Sequence, residues 1–481
     1  MEKVNGRKLS LIFIFILILL VIALLVGKLT FSYLGPTLGE DLSNEGEVTA
    51  SGDTLIFTKG SNLSLSATTD NFQTGGSNLS STTNPKVKLV ASSKTNSASA
   101  TYYVGVVINS NSYTYTTSDN TAEVILTIKD ENSNNVTSGV DGLTYVTSGG
   151  VSGFDVTGKT GLFNIKTDYP ISTTSSSTGT THTWTFTLTF VNLGTDQSDN
   201  ENASMDLDVY LQKEKILTLA EHVISQYTGS QGDDSLYYHN STLNNGAGDN
   251  SYRYAGASDS VNNYICLGSD ATTCPDANLF RIIGVFGDQT KVIRAKSVGD
   301  QKWHTSDSNT WSSSSLNTYL NGTYLTSLGT LKNKIATTTW KVGGGSWSNI
   351  GTSVPKTAYQ YEVGSNASST TYDAKIGLMY VTDYYYSASP SAWTLVGYNG
   401  SDATKDYRAA KTTNWLYLGS DEWTISRNSD TTSTAFCVNS TGFVSLDSVT
   451  ISYAVRPSFN LESSTTYVSG SGSMSDPVRI K

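Results

Sequence analysis

The chain has 481 residues, more than one hydrophobic core usually supports, so we expect two or three domains. Charged residues make up only 15% of the sequence, and the net charge of -10 argues against a nucleic-acid-binding surface, which needs clustered Lys and Arg. The 28 Tyr residues, with abundant Ser, Thr, Asn and Gly, are typical of β-strands joined by polar loops and of binding loops.

The first predicted element is an apolar segment near the N-terminus. Lys3, Arg7 and Lys8 precede an unbroken apolar run, Leu11–Val26. A membrane span needs about 20 such residues, and positive charge before the run places the N-terminus in the cytoplasm. We therefore predict a cytoplasmic tip and a transmembrane helix over residues 1–35, with a cleaved signal peptide as the alternative. Both interpretations place the rest of the chain outside the cytoplasm, and the first makes the protein a single-pass cell-membrane protein.

Residues 36–53 are polar and rich in Gly, Glu and Ser, which predicts a stalk. Residues 54–212 then contain seven or eight short strand patterns separated by Ser, Thr, Asn and Gly turns. Within them, Thr183–Phe190 alternates polar and apolar residues with period two, so one face of that strand is buried. The pattern predicts an immunoglobulin-like antiparallel β-sandwich over 54–212.

The second predicted domain comprises residues 213–481. Its apolar patterns predict an opening amphipathic helix, a hairpin, a helical stretch and a buried strand, at 216–227, Leu279–Arg294, Trp311–Tyr324 and Ile376–Val381. Thr382 and Asp383 then begin a further helical turn. We expect this domain to be α+β, so the fold class is a multidomain combination of an all-β domain and an α+β domain.

The three cysteines divide into a pair and a single residue. Cys266 and Cys274 flank a short polar loop, which predicts a disulfide formed in an oxidising compartment. Cys437 lies in an apolar strand, which favours a buried, inert thiol over a reactive one.

The acidic and histidine residues are the candidate metal ligands. Two clusters of oxygen ligands, 130–134 and 196–201, have part of a calcium-binding composition, but neither has the Gly and Glu that an EF-hand loop requires. Ordinary turns are therefore favoured. The histidines have no metal-ligand spacing, so we expect neither a metal nor a cofactor.

Residues from about 217 to 481 resemble a C-type-lectin-like domain, in the subgroup of the formylglycine-generating enzymes. The motifs that carry the resemblance are Leu279–Phe286, the Trp311–Leu320 helix, Gly419–Trp423 and Val455–Pro457. The segments Lys375–Val381 and Tyr453–Phe459 are also similar to surface proteins of gut bacteria. The first domain, at Trp184–Val191 followed by Asp196 and Gln197, resembles the surface-fibre proteins of the TasA and camelysin type.

The resemblance implies a bacterial cell-surface protein whose lectin-like domain binds an extracellular protein or glycan without catalysis, as an adhesin does. Tyr supplies rigid contact area, while Ser and Asn supply adaptable hydrogen bonds. On that basis the candidate ligand-binding residues are Tyr417, Ser420, Asp421, Arg427, Asn428, Asp430, Asn439, Thr441, Asp447 and Tyr453. Some proteins of this fold are diversified by retroelements, which implies a variable tail between Trp415 and Val455.

Four residues of the tail are expected to be structural. Arg456 lies in the closing strand and is predicted to pair with Glu422, while Trp415 and Trp423 are predicted to pack in the core. Two other functions stay open. The protein is alternatively a fibre or matrix subunit that associates through sheet edges, or an oxidase of the formylglycine-generating type. The oxidases use paired cysteines near the C-terminus, whereas Cys437 stands alone here.

Overall fold

The computed structural model describes residues 46–50, 52–71, 75–395 and 410–481. The chain divides into two compact units. The first contains the described residues up to Lys159 together with Phe163–Lys215, and the second contains Thr160–Leu162 and the described residues of Ile216–Lys481.

The first unit is built from β-strands. In chain order, β1 to β13 are Gly46–Ala50, Asp53–Thr58, Leu63–Ser66, Leu79–Thr83, Lys86–Val90, Ala98–Asn111, Val124–Lys129, Tyr145–Ser148, Val151–Asp155, Gly161–Thr173, Thr180–Thr183, Thr185–Phe190 and Ser204–Gln212. They form three sheets with the strand orders β1-β2-β5-β11, β10-β6-β13-β3 and β4-β12-β7-β9-β8. Strand β1 lies within the predicted stalk but pairs antiparallel with β2, so this part of the segment belongs to a sheet.

Strand β12 shows why these residues form sheets. Its alternation buries Phe186, Leu188 and Phe190 completely, while Thr185 and Thr187 stay half-buried. Burying one such apolar side chain contributes about 1.5–3 kcal/mol, so the alternating pattern fixes which face of the strand points inward. The register on β7 places this face beside other apolar residues of the first unit's core.

The second unit combines strands with short helices. Strands β14 to β28 are Leu236–Tyr238, Tyr252–Tyr254, Tyr264–Cys266, Leu279–Phe286, Gln289–Arg294, Asp300–Lys302, Thr338–Lys341, Thr371–Ala374, Glu422–Arg427, Thr434–Val438, Val444–Ser448, Ser452–Ala454, Ser458–Leu461, Tyr467–Ser469 and Arg479–Ile480. The α-helices, here α1 to α5, are Leu219–Ser225, Ser315–Tyr319, Leu325–Ser327, Pro355–Glu362 and Val381–Ser387. The two larger sheets have the orders β14-β15-β17-β18-β26, with β16 also on β17, and β19-β25-β22-β23-β24.

The central strand of this unit is β17. Seven of its eight residues, Leu279–Val285, are buried, as a continuous run covered on both faces requires. Gly284 makes the pairing with β15 possible, because a Cβ atom there would lie 2.1 Å from the carbonyl oxygen of Tyr252. A hairpin turn at Gly287, whose φ is +66°, returns the chain into β18. Strand β18 therefore lies inside the sheet, between β17 and β26.

The predicted fold class is wrong. The described chain is mostly β-sheet, and its longest α-helix, α4, has eight residues, so the second unit is not the α+β domain that we expected. Within residues 46–50, 52–71, 75–395 and 410–481, no helix is long and apolar enough to cross a membrane. The run Leu11–Val26 and the remainder of the predicted anchor lie outside the described residues, so the structure gives no support to a transmembrane helix.

Two local predictions have different outcomes. The helical stretch predicted from Trp311 is present, although a 3₁₀ turn precedes α2 and a π-helical segment, Leu320–Tyr324, lies between α2 and α3. The apolar run Ile376–Met379 is buried but forms only an isolated bridge, between Gly377 and Ser458. An apolar run of this length fits a buried connection as well as a strand, so its pattern alone does not separate the two.

Helix α1 forms where a helix was expected but spans Leu219–Ser225 instead of 216–227. The side chain of Thr218 accepts a hydrogen bond from the backbone N–H of Glu221, and the Glu221 carboxylate accepts one from the N–H of Thr218. This capping box satisfies two of the free N–H groups at the start of the helix, which defines its first residue.

Candidate functional site

A pocket with a cavity volume of about 190 Å³ lies in the second unit. Aromatic surface comes from Phe286 at the end of β17, Trp340 in β20, Tyr359 in α4 and Tyr380 before α5. We call this the aromatic pocket. Its polar lining comes from Asp249, Arg253, Lys291, Lys341, Asp383 and Asn460.

The charged groups of the aromatic pocket form one network. Arg253 Nη2 lies 2.6 Å from Asp249 Oδ2, and Arg253 Nη1 lies 3.7 Å from Asp383 Oδ1. Lys291 Nζ lies 2.5 Å from the other oxygen of Asp383. The side chains of Arg253, Lys291 and Asp383 are only 2–6% exposed, so each buried charge is neutralised by an opposite one at short range.

Aromatic rings surround the two cations. The ring of Phe286 lies 4.6 Å from Arg253 Cζ and 5.7 Å from Lys291 Nζ. The ring of Tyr380 lies 4.5 Å from Lys291 Nζ, and that of Tyr359 lies 5.5 Å from Arg253 Cζ. These distances are within cation–π range, so the rings and ion pairs hold both cations in fixed positions.

Two carboxylates meet the start of α5. Asp383 Oδ2 accepts a hydrogen bond from the N–H of Tyr380 at 2.8 Å. Glu362, at the end of α4, accepts hydrogen bonds from the N–H groups of Val381 and Thr382 at 2.9 and 2.8 Å. Burial raises the pKa of Glu362, although these hydrogen bonds and that from Ser426 act in the opposite direction.

Electrostatics set the charge states of Asp249 and Lys291. Burial alone would raise the pKa of Asp249, but the charge of Arg253 and the hydrogen bonds from Ser251 outweigh it and hold this pKa below its usual value. Burial lowers the pKa of Lys291, and the charge of Asp383 only partly offsets that effect. Asp249 is therefore a firmly ionised group, whereas Lys291 is easier to deprotonate than an exposed lysine.

One pocket residue has an unsatisfied acceptor. Asn460 Nδ2 donates to Thr338 Oγ1 at 3.1 Å, but the buried Oδ1 of Asn460 has no hydrogen-bond partner among the described residues. Leaving a buried acceptor unpaired costs about 1–3 kcal/mol, so a donor that enters the pocket would gain this bond.

The predicted ligand-binding residues do not line this pocket. They lie on and between β22, β23, β24 and β25 and in the preceding segment. Ser420, Asp430 and Thr441 are exposed. The half-buried ones are Tyr417, Asp421, Arg427, Asn439, Asp447 and Tyr453. Asn428 is buried, contrary to the exposed loop position that we expected.

Internal hydrogen bonds explain this burial. Asn428 Nδ2 donates to Thr434 Oγ1 at 3.1 Å, and its Oδ1 accepts the N–H of Asp430 at 3.1 Å. The Asp430 carboxylate accepts the N–H of Trp347 at 3.0 Å, and Asp421 accepts that of Ser440 at 2.9 Å. Asn428 closes its own turn in this way, whereas Asp430 and Asp421 bond to segments 83 and 19 residues away, so these polar groups serve the fold itself.

Two further predicted residues are also held internally. The hydroxyl of Tyr453 donates to the Asp447 carboxylate, and Arg427 Nε donates to the carbonyl of Gly343 at 2.9 Å. Asn309, which the sequence analysis missed, holds the same region, because its Nδ2 lies 2.8–2.9 Å from the carbonyl oxygens of Asn428, Thr431 and Thr434.

The residues predicted to be structural occupy buried positions. Arg456 Nε and Nη2 donate to the two oxygens of Glu422, both at 2.7 Å, and Nη2 also donates to the carbonyl of Leu416. Trp415 is 2% exposed and Trp423 is fully buried. The pairing expected from the sequence is therefore present in the core beneath the loops.

The cysteines are distributed as the sequence indicated. Cys266 and Cys274 form a disulfide with a Cα–Cα distance of 5.8 Å, and Cys437 is a buried free cysteine. Burial raises the pKa of the Cys437 thiol, so it stays protonated at neutral pH. Arg479 donates to the carbonyls of Ser269 and Ala271 and so anchors the disulfide loop.

The pocket residues gave a weak signal in the sequence. Lys291 is buried beside the apolar Val292 and Ile293 of β18, and Asp383 occurs in an apolar and aromatic run. A charged residue in such a run is rarely buried without an oppositely charged partner. This was the sign in the sequence that Lys291 and Asp383 belong to a buried ion pair. Nothing local relates them to Arg253 or Asn460, because the partners are far apart in the chain.

Comparison with known proteins gives one match. Residues 287–463 match a family described as a domain of unknown function, DUF6273, which covers less than half of the 481 residues. No curated protein and no solved structure matches the chain. The pocket residues Lys291, Asp383 and Asn460 lie in the matched segment, whereas Asp249 and Arg253 precede it. The resemblance to C-type-lectin-like and fibre proteins stays a prediction.

Proposed function

We propose that this chain is an extracytoplasmic, non-catalytic binding protein whose second unit takes up one sugar residue of a glycan in the aromatic pocket. The observation that carries the proposal is the half-buried aromatic surface of Phe286, Tyr359 and Tyr380 beside the unpartnered Oδ1 of Asn460. A sugar presents a C–H face that packs on aromatic rings, and its hydroxyl groups both donate and accept hydrogen bonds.

The size and polarity of the pocket support this ligand class. Its volume of about 190 Å³ is below the roughly 300–1,000 Å³ of sites for drug-sized ligands, so it suits a single ring at the end or side of a longer chain. A sugar hydroxyl donates to Asn460 Oδ1, and neighbouring hydroxyls accept from Arg253 and Lys341, which carry N–H groups into the lining.

The hydrogen bonds that the pocket carboxylate Asp249 already accepts support binding without catalysis. The Asp249 oxygens accept hydrogen bonds from Ser251, Arg253 and Tyr359. A carboxylate held in this way positions its neighbours but is poorly placed to take a proton from a ligand. The protonated, buried thiol of Cys437 likewise favours a structural role.

The extracytoplasmic location is supported by the Cys266–Cys274 disulfide, because such bonds persist mainly in oxidising compartments. A cell-surface position agrees with that compartment and with binding to glycans. The alternatives of a fibre subunit and of an oxidase stay predictions from the sequence.

The test is a glycan array probed with the purified chain and with two matched variants. Thr339 lies exposed at the rim of the aromatic pocket, and its hydroxyl donates to the Asp373 carboxylate. Thr441 is equally exposed in a predicted binding loop, and its hydroxyl donates to the Asn439 side chain. Thr339→Trp closes the pocket mouth, and Thr441→Trp places the same bulk on the loop.

We expect the unmodified chain and Thr441→Trp to bind the same glycans, and Thr339→Trp to lose at least about tenfold in affinity, which is about 1.4 kcal/mol. If Thr441→Trp loses glycan binding and Thr339→Trp keeps it, the binding site lies in the loops and not in the aromatic pocket. Absence of binding to every glycan by the unmodified chain would reject the glycan proposal.

A further inference from the structure

The contact between Lys291 and Asp383 has a second consequence, separate from ligand binding. Lys291 Nζ and Asp383 Oδ2 lie 2.5 Å apart, which brings the amine next to the carboxyl group, and the residues are separated by 92 positions in the sequence. The two side chains are only 6% and 2% exposed. A strand residue and a helix residue are therefore in direct contact, with little water around them.

The surroundings of Lys291 favour its uncharged form. The rings of Tyr380, Trp340 and Phe286 lie 4.5, 5.3 and 5.7 Å from Lys291 Nζ. Burial lowers the pKa of Lys291. In such a site, transfer of one proton from the ammonium to the carboxylate gives a neutral amine and a neutral acid, and it removes two buried charges.

The groups around the Asp383 carboxyl suit attack on its carbon. The N–H of Tyr380 lies 2.8 Å from Oδ2, and the Arg253 guanidinium lies 3.7 Å from Oδ1. Both carry positive charge toward the oxygens, where negative charge develops when an amine adds to the carbonyl carbon. The fully buried Glu362 accepts hydrogen bonds from the N–H groups of the two preceding residues and so holds the backbone beside Asp383, and its charge also acts on Lys291.

We propose that Lys291 and Asp383 condense to form an intramolecular isopeptide bond. The neutral Nζ attacks Cγ of the protonated carboxyl, a C–N bond forms, and one C–O bond breaks. The departing hydroxyl takes the proton that the nitrogen releases and leaves as water. The products are one amide and one water molecule, and neither an oxidant nor an activated donor is required.

Proximity makes this condensation favourable without an external energy source. Holding an amine and a carboxyl in contact raises their effective concentration by several orders of magnitude over separate molecules in water. The pocket also gives the released water an exit, because both residues lie in its lining. The bond would link β18 to α5 covalently and would leave the pocket wall in place.

The test is the intact mass of the purified full chain, measured under denaturing and reducing conditions. We expect a mass lower than that of the amino-acid sequence by one water molecule. Proteolysis should yield a branched peptide that joins the segments containing Lys291 and Asp383, with no tryptic cleavage after Lys291. This readout uses the unmodified protein, so it does not depend on the folding of any variant.

Lys291→Arg is the matched variant, because it keeps the positive charge but has no amine to acylate, and we expect it to have the full sequence mass. The same variant distinguishes the isopeptide bond from a succinimide at Asp141–Gly142. A succinimide also lowers the mass by one water molecule, but that loss would remain in Lys291→Arg. Glu362→Gln is expected to show a mixture of linked and unlinked chain. An unmodified chain at full sequence mass, or a lost water that maps elsewhere, would overturn the proposal.

Discussion

Replacing Glu422 with Gln removes one charge from the buried pair beneath the C-terminal loops. The side chains of Arg456 and Glu422 are 3% and 1% exposed, and two hydrogen bonds of 2.7 Å join them. The variant keeps the shape of the side chain but leaves the Arg456 guanidinium without a counter-ion. It therefore isolates the electrostatic contribution of the pair from that of packing.

The expected loss in the free energy of unfolding is large. Removing one partner of a buried ion pair costs about 3–5 kcal/mol, because the remaining charge stays desolvated. The matched control is Asp276→Asn, which breaks the pair between Asp276 and Lys296 in the same unit. Those side chains are 64% and 59% exposed, so this change should cost less than about 1 kcal/mol.

Urea unfolding followed by tryptophan fluorescence measures both changes. Seven of the eight Trp residues belong to the second unit, with Trp184 as the exception, so the signal reports mainly on this unit. With a denaturant slope of about 3 kcal/mol per molar urea, a loss of about 4 kcal/mol lowers the midpoint by about 1.3 M.

A midpoint for Glu422→Gln within about 0.3 M of that for Asp276→Asn would refute the reasoning. A double variant, Glu422→Leu with Arg456→Met, sharpens the test because it removes both charges. Its loss should be smaller than the sum of the single losses by at least about 1 kcal/mol.

Three further predictions concern pH, the disulfide and a buried amide. Burial lowers the pKa of His222 from 6.5 to about 4, so the native state binds fewer protons than the unfolded chain between these values, and stability rises with pH there. Lowering the pH from 6.5 to 4 should reduce the free energy of unfolding by up to about 2 kcal/mol through protonation of His222, a value already reduced for solvent screening. Urea titrations at the two pH values should show a smaller reduction for His222→Phe. Replacing both Cys266 and Cys274 with Ser should cost about 2.5 kcal/mol in thermal unfolding, since their separation of 8 residues closes a short loop. Asn309→Ala should speed amide exchange of residues 428–434 about thirtyfold, because it leaves buried carbonyl groups unpaired, at a cost of about 2 kcal/mol.

Local patterns predicted the parts of the fold that depend on neighbouring residues. The hairpin of β17 and β18 follows from two apolar runs around Gly287, and β12 follows from its alternation. The disulfide follows from two cysteines close in sequence. Each of these depends on a signal that lies within a few residues. The Arg456–Glu422 pair joins residues 34 positions apart, and Arg456 lies between β25 and β26 instead of in the strand that we expected.

The remaining features depend on contacts between distant segments. A 3.6-residue periodicity was extended through 311–324, where the structure instead changes from 3₁₀ to α to π geometry. The aromatic pocket assembles Arg253, Lys291, Asp383 and Asn460 from four separate elements, and no spacing rule relates them. Polar loop residues were interpreted as ligand contacts, whereas many of them bond to their own turns or to distant segments of the same unit.

Hydrogen–deuterium exchange of the full chain, with and without a glycan selected on the array, tests the central claim most directly. The account predicts slower exchange on binding in three segments that line the aromatic pocket, 338–341, 359–363 and 380–383. The loops between 428 and 453 should exchange at the same rate in both states. Protection confined to 428–453, with the pocket segments unchanged, would contradict the account.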